Sequence, residues 1–596
     1  MVLKGDNDDD PRRRHRKWPV SRAAIILSAV AVAGLTAWET RPVVGRSMVI
    51  SQYGIVATSQ PLAARVGIQI LERGGNAVDA AIATSAAMSL MEPTGNGLGS
   101  DLFAIISEPG GGGLHGLNAS GWAPAGLTAE VLRREGLEVM PQRGIHSVTV
   151  PGIVAGWEAM RRRFGRLPFD ETLAPAIFYA EHGFPITETV AHWWQRAEKG
   201  LSAHPSAART FLPGGRAPRT GELFRNPDLA GTLRRIVADG RDGYYRGHTA
   251  DAILALMRET GGTMTADDLT EFTPEWVTPM ETTYRGWRVA QLPPNGQGIA
   301  ALLMLNLMER FPLDRYGFQS PEALHVMIEA KKLAYADMIA HVGDPRFTAI
   351  PVEGLLSKTH AAARAQRIDP HAARCDVEPS ELDRITDARG HDTIYLTVVD
   401  QHGGVVSLIQ SNYSGFGSGL VPSGTGFMLQ NRGALFTLEP DHPNTLAPRK
   451  RPLHTIIPGF MEKEGTRIGF GIIGGWNQAQ AHAQFVSSVA DHGLNIQQAL
   501  EAGRFTKVTF TGCDVQLEVL VPDATRALLE ALGHEIEVVA PRSGTFGWGQ
   551  AVMSDADGMH FGASEPRHDG AAIPQAPPVF KDVRGPLPRV PGVVSR

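Results

Sequence analysis

The spacing of apolar residues changes period along the chain. Near the start it gives a short strand over residues 55–58. A helix over residues 61–74 follows, with Leu62, Val66, Ile68 and Leu71 at helical spacing. Gly74-Gly75 end that helix, and Asn76 stands where it can cap the next. The body of this second helix is small on every side (Ala77, Ala80, Ala81, Ala83, Ser85, Ala86, Ala87), so it must be buried against close neighbours such as a sheet face. Met91-Glu92-Pro93 end it. The glycine run Gly95 to Gly99 comes next, then a predicted strand over residues 102–106 and a hairpin tip at Gly110 to Gly113. From about Gly152 to Ala340 the pattern is mostly helical, with helices predicted over 155–164, 171–180, 229–239, 250–260, 298–310 and 321–340. Thr265-Ala266-Asp267-Asp268 has the form of a capped helix start, and 287–292 reads as a strand.

The C-terminal third returns to strands. Residues 393–399 and 405–411 are rich in β-branched and apolar side chains and flank the turn residues Gly403-Gly404, which predicts a hairpin beginning at Thr393. A further strand over 468–473 runs into Gly474-Gly475. Thr393 has two readings. It is a polar strand start, or it is the residue exposed by cleavage of the Asp392–Thr393 bond. A new N-terminal threonine would carry its own base, because an α-amine with a pKa near about 8 accepts a hydroxyl proton and a peptide nitrogen does not. Paired glycines after a strand leave bare N–H groups able to meet a substrate carbonyl, or they are only a turn.

Composition narrows the choice. The chain has 596 residues, 43% hydrophobic and 20% charged, enough for a large core. Its net charge of −5 gives no sign of nucleic-acid binding. The basic run Arg12 to Lys17 precedes an apolar segment from Ala23 to Trp38. That segment is short for a membrane span and suited to a signal-peptide core, with an uncleaved anchor as the alternative. Either way the body lies outside the cytoplasmic membrane. The glycine run at Gly95 lacks the lysine and the following helix of a phosphate loop. No HExxH, cysteine-pair or GxSxG pattern is present, so no metal or organic cofactor is implied. The two cysteines, Cys375 and Cys513, lie far apart, and the sequence leaves their pairing open.

Taken in order, several pieces resemble the gamma-glutamyltransferase family of N-terminal-nucleophile hydrolases. They are Pro61-Leu62-Ala63, Gly74 to Ala81, Asp392-Thr393, Gly403, Phe416-Gly417, Pro452-Leu453 and Gly474-Gly475. The resemblance implies an α+β fold, a four-layer αββα sandwich, and self-cleavage before Thr393. Residues 1–45 would be a signal peptide or anchor, 46–392 a large subunit and 393–596 a small catalytic one. It further implies a heterodimer of the two fragments without a covalent link. Thr393 would be the nucleophile, Ser411 its supporting hydroxyl, and Gly474 and Gly475 the oxyanion backbone.

Substrate-binding positions carry over with changes. Ser120 stands where an arginine is expected, Leu435 where an acidic residue is, Tyr413 where an asparagine is, and His454-Thr455 where two serines are. Asn431 and Arg432 complete this set. The resemblance therefore implies amide cleavage on a small-molecule amide or peptide, closer to the amidase and cephalosporin-acylase-like branch than to glutathione breakdown. Arg432 could alternatively take over the missing glutamyl contacts. The rival from another class is an inactive, uncut binding protein.

Overall fold

The computed structural model describes residues 45–375, 377 and 392–578. The predicted N-terminal address lies outside them. Among the described residues no helix is long and apolar enough to cross a membrane.

Two seven-stranded sheets form the middle of the molecule. The first runs Ala571–Pro574, Ile55–Thr58, Asp392–Val399, Val405–Tyr413, Asp101–Ser107, Leu114–Ala119 and Glu275–Val277. The second runs Val49–Ser51, His560–Ser564, Gly549–Ser554, Thr466–Ile472, Gly459–Lys463, Trp287–Gln291 and Met280–Tyr284. Every neighbouring pair in both sheets is antiparallel. Ile55, Phe103, Tyr395, Ile409, Phe460 and Ile473 pack between the sheets. A second apolar layer joins the outer face of the first sheet to the helices Pro61–Glu72, Ala77–Met91 and Ile153–Phe164. A third joins the second sheet to Gly298–Met308, Pro321–His341 and Asn477–Ala490. Helices, sheet, sheet, helices: this is the αββα sandwich.

Local chemistry explains the elements that carry the hairpin. All fifteen residues of Ala77–Met91 are buried, in keeping with its run of Ala and Ser on every side. Asn76 and Asp79 close a capping box at its start. Asp400, in the hairpin turn, accepts the Ala77 N–H at 3.0 Å while also accepting from His402 and Gly404. One carboxylate thus fixes the turn and seats it on a helix N-terminus, where negative charge is favoured. The helix predicted over 171–180 is instead two, Phe169–Thr172 and Ala174–His182, because Pro175 suits a first helical turn.

Cys375 and Cys513 form a disulfide. This corrects the expectation that no covalent link joins the two parts of the chain. The resemblance could not show it, because it rested on motifs elsewhere.

Candidate active site

Thr393 opens a strand in the centre of its sheet. Asp392 pairs with Tyr413 and Ile394 with Gln410, so Thr393 alone faces both Ser411 and Asn412. Across this bulge the Thr393 hydroxyl donates to Ser411 Oγ at 3.1 Å, and the Tyr413 N–H donates to the same oxygen at 2.8 Å. Thr393 is 2% exposed.

The opposite sheet approaches through glycines. A Cβ on Gly469 would lie 2.8 Å from Thr397 Oγ1, and one on Gly471 would lie 2.5 Å from the Tyr395 ring. Strand residues on one face recur every second position. Carried two residues further, the same alternation reaches Ile473 opposite the position of Thr393, with Gly474 and Gly475 directly after it. Gly474 and Gly475 have φ of 124° and 58°, backbone that other residues rarely adopt. Their N–H groups donate to no protein group among the described residues. They lead into the helix Asn477–Ala490, and the buried amide of Asn477 beside them is also unpartnered. Free N–H groups at a helix N-terminus suit a negative oxygen.

Arg432 is fully buried. Its Nη1 donates to Thr455 Oγ1 at 2.7 Å, its guanidinium stands 4.9 Å from the Tyr413 ring centroid, and Nε and Nη2 have no partner. Burial lowers its pKa to about 10, which leaves it charged at neutral pH. Gln297 closes the circuit, donating to the carbonyls of Thr455 and Gly475. Thr393, Ser411, Tyr413, Arg432, Thr455, Gln297 and Gly475 thus form one connected series.

The remaining candidates sit behind it. His454 Nε2 lies 3.0 Å from Asp101 Oδ2, both groups fully buried. Burial, then the charge of Arg432, push the imidazole down to about 3, so this contact is a neutral histidine donating to a carboxylate and not an ion pair. Asp101 also accepts from Gly121 N–H and Gln430 Nε2. The Asn431 amide is used by the backbone, accepting from Ser414 and donating to Gln142. Ser120 is buried, its hydroxyl accepting from Asn295 and its carbonyl from Arg451. The Leu435 side chain packs in the core.

Asp101, Gln297 and Asn477 were not singled out from the sequence. Asp101, ending the run Gly95 to Ser100, was the one with a signal, since a carboxylate at the head of an apolar strand needs partners. Elsewhere, His325, Glu329 and His534 cluster closely enough to hold a metal ion. The two histidines instead hydrogen-bond each other at 2.8 Å, and the Lys332 ammonium sits 2.7 Å from Glu329. These partners occupy the facing atoms, and among the three residues only His534 Nδ1 is left without a hydrogen bond.

A four-layer sandwich with a threonine at the head of a central strand, and free backbone N–H groups just beyond a strand of the opposite sheet, has the design of an N-terminal-nucleophile hydrolase. The family described as Gamma-glutamyltranspeptidase matches residues 63–575, and the chain belongs to it. Among its relatives is the glutathione hydrolase-like YwrD proenzyme of Bacillus subtilis, 36% identical over 88% of this chain and 99% of that one. Another is the oxamate amidohydrolase proenzyme of Klebsiella pneumoniae, 35% identical over 88% and 98%. The crystal structure of a cephalosporin acylase from Bacillus halodurans superposes with a TM-score of 0.84 at 42% identity, over 90% of this chain and 98% of that one. The chain is therefore a self-processing amide-cleaving enzyme of the N-terminal threonine type.

Proposed function

We propose that Thr393, freed by cleavage of the Asp392–Thr393 bond, carries an acyl group whose far end is a carboxylate without an accompanying ammonium, and passes it to water. The observation that supports this is the pair of buried, unpartnered N–H donors on Arg432. A buried cation with two free donors suits the two oxygens of a carboxylate. An ammonium finds no new acceptor at Ala434 or Leu435, whose side chains are core, and Asp101 already accepts three hydrogen bonds.

In this mechanism the Thr393 hydroxyl attacks the amide carbonyl while the α-amine takes its proton. The proton passes to the leaving amine, and water then releases the acyl group by the reverse transfers. Ser411 Oγ aims the nucleophile. The Gly474 and Gly475 N–H groups meet the oxyanion, a contribution that elsewhere is worth about 3–4 kcal/mol per donor. The Tyr413 ring lies 4.9 Å from the Arg432 guanidinium, a cation–π contact that helps to hold it. Export belongs to the same reading, supported by the segment from Ala23 to Trp38 and by a disulfide, a bond typical of oxidising compartments.

The test compares a glutaryl anilide with the γ-glutamyl anilide, which differs only by the α-amino group. The glutaryl compound is expected to have the higher kcat/KM. A strong preference for the glutamyl compound overturns this reading and assigns the protein to glutathione-type substrates.

A further inference from the structure

The chain has two cysteines, and they are bonded to each other. Their Cα atoms lie 4.8 Å apart although 138 residues separate them in sequence. The surroundings of this bond are built around the pairing. The Ala373 N–H donates to Leu532 O at 2.7 Å, the Gly512 N–H to Cys375 O at 3.2 Å, and the Glu535 N–H to Cys513 O at 2.8 Å. Lys332, buried, donates to the Arg374 carbonyl at 2.6 Å and to Glu329 at 2.7 Å, and the Arg374 N–H returns to Glu329 at 3.3 Å. The segment ending at Cys375 is therefore fastened to the 512–535 region by hydrogen bonds independent of sulfur. The folded chain presents one cysteine to the other.

The junction at Thr393 falls between these positions. We infer that Cys375–Cys513 is an interchain bond of the mature enzyme: once the Asp392–Thr393 peptide bond is gone, the two chains remain one covalent molecule. This rests on Thr393 as the cleavage point. The two reactions share no atoms. Cleavage moves the Asp392 acyl group from nitrogen to the Thr393 oxygen, freeing the amine. One water then hydrolyses the ester to the Asp392 carboxylate and the Thr393 hydroxyl. Bond formation removes two electrons and two protons from the thiols of Cys375 and Cys513, and the disulfide of an oxidised dithiol protein or of oxidised glutathione accepts them by exchange. The bond changes what unfolding means. Without it, two separated chains must find each other again; with it, re-encounter is intramolecular, at an effective concentration on the order of millimolar.

The experiment is denaturing electrophoresis of the full-length gene product made in an oxidising compartment, with free thiols alkylated beforehand, run with and without reductant. One band without reductant and two with it are expected, together with a Cys375–Cys513 cross-linked peptide in the unreduced digest. Cys375→Ser, at an exposed position, should give two bands in both lanes. Its recovery of activity after dilution from denaturant should depend on protein concentration, whereas the parent's should not. Two bands without reductant from the parent overturn the interchain bond while leaving cleavage intact. One band in both lanes shows an uncut chain, which overturns the Thr393 junction and the interchain bond together.

Discussion

The hydroxyl of Thr393 donates to the hydroxyl of Ser411 across a bulge, where one residue faces two. The Ser411 oxygen also accepts the Tyr413 N–H, so it is held from the far side. This contact fixes the direction of the reactive oxygen before any substrate arrives.

Thr393→Ala should leave a folded, uncut chain without amidase activity, because the oxygen that attacks in both maturation and catalysis is absent. Thr393→Ser should still be cut, more slowly, since it keeps the hydroxyl and loses the methyl that restricts its rotamer. Reducing electrophoresis with an amidase assay reads both. Normal processing of the alanine variant would show that the nucleophile lies elsewhere.

Ser411→Ala removes the oxygen that accepts from both the Thr393 hydroxyl and the Tyr413 N–H. A neutral hydrogen bond of this kind contributes about 0.5–1.5 kcal/mol. The expected result is a fall in kcat of about two- to tenfold, with KM little changed. An equal loss of thermal stability and no change in kcat would mean that Ser411 only supports the hairpin.

Arg432→Gln keeps a hydrogen-bonding side chain and removes the charge. Losing the charged partner of a buried carboxylate costs on the order of 2–5 kcal/mol, so kcat/KM for a glutaryl anilide should drop by at least about 30-fold. A butyryl anilide, with no carboxylate, should lose much less. Equal losses on both compounds would make Arg432 a structural residue.

Much of the fold was readable because it is locally determined. The Ala77–Met91 helix is rich in Ala and Ser with an Asn-x-x-Asp start, and the Thr393 hairpin has β-branched strands about a Gly-Gly turn. What escaped depends on partners distant in the chain. Asp101 and His454 meet across 353 positions, and nothing near either residue announces the other. Gln297 precedes a helix without capping it, and its role appears only when two remote carbonyls are brought to its amide. The site candidates show the same limit. Position and residue type suggested a substrate contact for His454 and Ser120. Only the fold places one against Asp101 and the other against Asn295 and Arg451.

Acid should weaken the folded state through buried imidazoles. Burial holds His454, His482 and His534 at pKa values of about 3, whereas an unfolded histidine titrates near 6.5. Between these values the unfolded chain binds more protons, so stability rises with pH in that window and falls as pH drops from about 6.5 toward 3. Melting temperature measured from pH 7 to pH 4 should decline, and His482→Gln should decline less steeply. An unchanged slope in that variant would show that His482 is not kept neutral.

Deletion of residues up to about Thr40 should give a soluble, active protein, because the basic run and apolar segment before it read as an export address. Solubility and amidase assays of the truncated protein test this. Insoluble material would make the segment part of the fold.

The strand Ile55–Thr58 lies between Ala571–Pro574 and Asp392–Val399. A cut before Thr393 places this strand on one chain and both its neighbours on the other. In the second sheet, Val49–Ser51 and Trp287–Gln291 likewise border strands from beyond the cut. The products are interwoven, not docked, and neither has a complete sheet with which to fold alone. Before the cut, the strands of both sheets hang on one continuous chain; after it, each product must find its missing strand neighbours on the other. Pieces produced from separate messages would meet as incomplete halves, each supplying strands that the other lacks.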